Sequence, residues 1–86
     1  MSPTEALETI RRYAVAGLVA FTAHARGRMA QRNVSLDDVL RALINAKSAR
    51  ATDAADKWIA CGPDLDGSDL DVVVVIEAGL VVITVY

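Results

Sequence analysis

Apolar positions recur with helical spacing through the first half of the chain and run almost without polar interruption in its last third. Leu7, Ile10, Ala14 and Leu18 fall on one helical face. Ser2 is placed to cap that helix, Pro3 suits its first position, and Glu5 completes a capping box. Gly17 suits its termination. Leu18 to Ala23 reads as a short strand or an extended link. A second helix is expected from about Thr22 or His24 to Arg32, with Asn33 ending it in a left-handed conformation. The third helix carries the clearest pattern. Ser35 and Asp38 form a capping box, Val34 and Val39 a hydrophobic staple, and Leu36, Val39, Leu40, Leu43 and Ile44 one apolar stripe. Its end is expected near Asn45 to Lys47.

Beyond that point the period changes. Ala49 to Asp56 is weakly patterned and reads as a short strand or a loop. Lys57 to Cys61 predicts a strand, and Gly62 to Asp71 a polar loop rich in turn residues. Asp71 to Ile76 and Leu80 to Tyr86 are β-branched runs joined by Glu77-Ala78-Gly79, which suits a type I turn with a bulge. Strands so uniformly apolar predict a sheet covered on both faces. Helices would cover one face, and a partner or a second copy part of the other. The fold class expected is α+β, with N-terminal helices packed on a small antiparallel sheet. The 86 residues form a single domain, 1–86, with no repeat or dividing linker.

Composition narrows the classes. A hydrophobic content of 53% argues against disorder. No apolar run reaches the ~18–20 residues of a membrane span; the longest, Val72 to Ile76, stops at Glu77. The N-terminus lacks the basic start and early apolar stretch of a signal peptide, and the lone Cys61 has no partner for an intrachain disulfide. The expected location is cytoplasmic. The net charge of −2 hides a division. Residues 1–50 carry a surplus of four positive charges and residues 51–86 a surplus of six negative ones. Such asymmetry fits either a nucleic-acid or protein-binding face, or charges that intermix once the chain folds.

The second predicted helix contains the candidate chemistry. His24, Arg28 and Arg32 recur at helical spacing on one broad face, joined by Gln31, while Ala25 and Met29 share a more apolar one. Guanidiniums present planar forks of donors to phosphate oxygens, and an imidazole moves protons near neutral pH. Cleaving RNA needs a base for the 2′-hydroxyl, a cation for the phosphorane and an acid for the leaving oxygen, and it can proceed without a metal. Tyr86, with Thr84 on the same strand face, could supply a proton or stack on a base. Lys57 and Trp58 pair a cation with an aromatic surface as RNA contacts, although a tryptophan is more often a core or interface residue than a base platform. The aspartate-rich segment does not make a calcium loop. Aligning Gly67 with the required EF-hand glycine puts Gly62 and Val73 at ligand positions they cannot fill. One His and one Cys far apart give no zinc pattern, and no cofactor motif is present.

The stretch Thr22 to Ser35, TAHARGRMAQRNVS, resembles the signature "[ST]-x-H-A-x-x-R-M-x-x-R-x-[VI]-S" of a bacterial family of domains of unknown function, whose members are read as toxin-like proteins of the RelE/MqsR-type superfamily. The likeness continues into the Asp37-Asp38-Val39-Leu40 helix and resumes in VVVVIEAGLVVITVY. It covers roughly residues 20–47 and 71–86, and the first helix looks like an addition. The resemblance implies a RelE-like fold, metal-independent endoribonuclease activity on mRNA, and a cognate antitoxin protein as partner. His24, Arg28 and Arg32 match the motif by position, and Tyr86 the terminal aromatic. The chain departs from typical toxins of that superfamily in being acidic overall. The residues alone fit two further classes: a non-catalytic module that binds a protein through its sheet, and an RNA binder that does not cut.

Overall fold

The computed structural model describes residues 1–86. It contains, in chain order, α1 (Pro3–Val15), β1 (Val19–Phe21), α2 (Ala23–Gln31), α3 (Leu36–Ile44), β2 (Ser48–Ala51), β3 (Lys57–Pro63), β4 (Asp69–Glu77) and β5 (Gly79–Val85). The helix starts follow from their caps. In α1 the Ser2 hydroxyl accepts the Glu5 N–H at 3.2 Å and the Glu5 carboxylate accepts the Ser2 N–H at 2.8 Å. In α3 Ser35 and Asp38 make the same reciprocal pair. Asp38 also accepts the Leu65 N–H at 3.0 Å, which ties the start of α3 to the β3–β4 loop. These donors, the Ser35 N–H first and the Leu65 N–H next, hold the Asp38 carboxyl below the ordinary aspartate range. Asn33 ends the α2 segment with φ 55, the left-handed conformation expected of it.

The strands form one five-stranded sheet in the order β1-β5-β4-β3-β2. Neighbours from β2 to β5 run antiparallel, but β1 lies parallel to β5. The sheet is therefore mixed rather than purely antiparallel. A parallel pair needs a long crossover, and everything from α2 to β4 lies between β1 and β5 in the chain. The expected loop from Gly62 to Asp71 is also shorter, because both strands extend into it. Its turn is organised by Asp64, whose carboxylate accepts the N–H groups of Asp66 and Ser68, both at 2.9 Å. The β4–β5 connection is tighter than a three-residue loop. Glu77 and Gly79 already pair, leaving Ala78 at the tip, and Gly79 takes φ 118, which few other residues would adopt.

All three helices pack against the same side of the sheet. Alternation sends Trp58 and Ala60, Leu70, Val72 and Val74, and Leu80 and Val82 into that side, and a bulge in β5 opposite Val73 and Val74 returns Val85 to it. There they meet Ala6 and Ile10 of α1, Ala25 and Met29 of α2, and Val39 and Leu43 of α3 in one core. Gly62 allows α3 to approach β3 closely: a Cβ there would overlap the Ala42 carbonyl and lie 3.0 Å from the Ala46 Cα. Arg11 fastens α1 to the turn after α3, its guanidinium donating through Nε (2.8 Å) and Nη2 to the Ala46 carbonyl. The opposite face of the sheet carries no helix. Only one of the two faces expected to be covered is covered within the chain.

Candidate nucleic-acid interface

Helix α2 follows directly from β1 and is anchored to β5. The Thr22 N–H donates to the Val82 carbonyl at 3.1 Å. Its hydroxyl accepts the Ala25 N–H at 3.0 Å and donates to the Ile83 carbonyl at 3.3 Å. Thr22 thus caps the helix and fixes its start against the sheet. Ala25 and Met29, one turn apart, are its buried positions. The remaining side chains, which carry the charge, lie at or near the surface.

His24, Gln31 and Arg32 are exposed and Arg28 is half-buried. The Arg28 Nε is enclosed, and no protein acceptor reaches it. Arg26, on the far flank of the buried pair, holds its guanidinium carbon 5.9 Å from the centre of the Phe21 ring. No carboxylate neutralises any of these arginines. The ion pairs in the molecule are Lys47–Asp69 at 2.7 Å and Arg50–Asp71 at 3.3 Å, both at the β2 edge. The sequence supplies the reason: between Glu8 and Asp37 there is no acidic residue. Arg28 and Arg32, one helical turn apart, are the guanidinium donors this surface offers, and half-burial of Arg28 restricts its side chain.

The other expected site residues do not join this surface. Tyr86 is 52% exposed, and its N–H donates to the Asp71 carbonyl at 2.9 Å. Facing residues of an antiparallel pair share a side, so Tyr86 falls with Asp71 on the open face of the sheet. Helix α2 instead buries its apolar residues in the core on the other side. No hydrogen bond links Tyr86 to His24, Arg28 or Arg32. Trp58 is 4% exposed, so it cannot stack on a base. Its neighbour Lys57 is half-buried on the open face, opposite Val75. Adjacent strand residues point to opposite faces, so Lys57 and Trp58 cannot form one contact surface.

Reading from sequence also passed over a polar cluster at the open face. Cys61 lies opposite Asp71, which pairs with Arg50. Burial first, then the Asp71 carboxylate, pushes the Cys61 thiol above its ordinary pKa, so it is a poor nucleophile. Cross-strand register brings these residues together, and register is not visible in a linear pattern. No three His, Cys, Asp or Glu side chains converge as metal ligands. No helix is long and apolar enough to cross a membrane.

A family model described as a domain of unknown function, DUF4258, matches residues 21–86. The match begins at the last residue of β1 and takes in α2, α3 and β2 to β5, including the middle segment that the motif resemblance left out. Helix α1 lies outside it. No curated protein and no solved structure matches the chain.

Proposed function

The chain belongs to the DUF4258 family of domains of unknown function, and from that premise we propose that it is the toxin-like component of a toxin-antitoxin pair, a metal-independent endoribonuclease acting on mRNA. The observation that carries the proposal is the uncompensated basic face of α2, where Arg28 and Arg32 stand without a carboxylate beside the exposed His24. Phosphate contacts dominate protein–nucleic-acid affinity, and the α2 face offers arginines for them despite the overall charge of −2. In the reaction His24 takes the proton of the 2′-hydroxyl, and the 2′-oxygen attacks the adjacent phosphorus. Arg28 and Arg32 hold the charge of the phosphorane. The P–O5′ bond breaks, the imidazolium returns its proton to the departing 5′-oxygen, and the products are a 2′,3′-cyclic phosphate and a 5′-hydroxyl end. The RelE-like character of the fold and the antitoxin partner belong to the same proposal.

One observation favours a second reading. With Tyr86 on the open face of the sheet, α2 offers a single proton-transfer group, His24. RNA binding without cleavage needs only the arginines. Expression in a bacterial host separates the two. The proposal expects wild type to arrest growth and to create new RNA 5′-hydroxyl ends, and H24A/R28A to do neither while remaining folded. Unchanged growth and RNA with abundant folded wild type would remove the nuclease reading. Retained RNA affinity in that case would leave the binder.

A further inference from the structure

The face of the sheet without helices departs from the usual alternation. A solvated antiparallel face is normally polar, yet here the outward positions at its centre are Val73, itself buried, and the half-buried Ile59, Val75 and Val81 around it. Ile59 faces Val73 and Val75 faces Val81 across adjacent strands, so they form one contiguous patch. The patch continues into a cleft of about 330 Å³ at the β4–β5 turn, lined by Leu18, Ala20 and Ala78 with Glu77 as its one charged group. At that same end the β2–β3 connection carries the exposed Asp53 and Asp56, and none of these three carboxylates has an ion-pair partner. Lys57 is the only cation there.

We propose that this face docks a cationic amphipathic segment of a different protein, with apolar side chains on the valine patch and lysine or arginine reaching Glu77, Asp53 and Asp56. Charge complementarity decides the occupant. A twofold pairing of this face with itself would bring two acidic ends into one interface, with Lys57 the one cation of each copy at that end and Arg50 already paired with Asp71. Pairing with the basic α2 of a second copy would be head-to-tail, which builds a ring or an open filament rather than a twofold dimer. A separate basic partner meets neither objection. This inference does not depend on α2 binding RNA, because the two surfaces do not overlap.

The test titrates the full-length, isotopically labelled protein with an amphipathic peptide of leucine and lysine, a counterpart of leucine and glutamate, and a scrambled lysine peptide of the same composition. The expected result is saturable binding of the ordered lysine peptide alone, with amide shifts centred on Ile59, Val73, Val75 and Val81. V75K/V81K should weaken binding by at least ~10-fold, the equivalent of one aliphatic side chain left unburied. E77K, at the exposed turn, provides a variant that leaves the strand interiors unchanged and should weaken binding by roughly 3- to 10-fold, less so at high salt. Equal binding of the glutamate or scrambled peptide, shifts centred on α2, or a wild-type dimer already covering the patch would each overturn the proposal.

Discussion

Helix α2 and the open face of the sheet are both unpartnered within the chain, and they are opposite in kind. Helix α2 exposes cations and buries only Ala25 and Met29. The open face presents aliphatic side chains at its centre and carboxylates at its end. The +4 and −6 halves of the sequence therefore intermix only at the β2 edge, through Lys47–Asp69 and Arg50–Asp71. Elsewhere they remain apart as two surfaces. The basic helix surface and the apolar sheet face thus sit on different sides of a single core.

That contrast can be broken most severely from within the core. Trp58→Ala should cost ~3–5 kcal/mol in denaturant unfolding, and Ile59→Ala on the open face ~1 kcal/mol or less, because only the former leaves a cavity under the helices. Equal losses would mean that the two faces of the sheet are equally packed. Gly62→Ala should destabilise by roughly 1–3 kcal/mol by pushing α3 off β3, visible as a lower denaturation midpoint with unchanged RNA binding per folded molecule. Ser35→Ala should cost about 1 kcal/mol through loss of the α3 cap. The smallest effect is expected at the proposed site. His24→Ala should stay within ~0.5 kcal/mol of wild-type stability while removing RNA cleavage.

Acid provides an independent check on α3. The Asp38 carboxyl is held below its unfolded value, so its contribution to stability is fully present above that value and is lost as pH falls through the lower, folded one. Unfolding followed from neutral pH to well below pH ~4 should show this loss in wild type and a shallower one in Asp38→Asn. Identical acid profiles would show that the carboxylate contributes nothing specific there.

Most of the helical layer was legible in the sequence because caps and apolar stripes are local. Ser2 with Glu5, Ser35 with Asp38, and Asn33 all do what their positions predict. The edge strand β1 was legible as a short strand or an extended link, but not its parallel pairing, which depends on residues about 60 positions away. The same limit applies to the site. His24 and Arg28 lie within α2 and Arg32 caps its end, so their common face follows from local helical spacing. Tyr86 and Trp58 could be placed only by strand alternation and register, which put one on the open face and the other in the core.

The most direct test of the α2 assignment is the salt dependence of binding to a single-stranded RNA, measured for wild type and R28A/R32A. If both arginines contact phosphates, the slope of log affinity against log salt should become shallower by roughly 1.4, at about 0.7 per contact, with affinity falling alongside. Equal slopes and affinities in two folded proteins would show that α2 is not the surface that meets RNA.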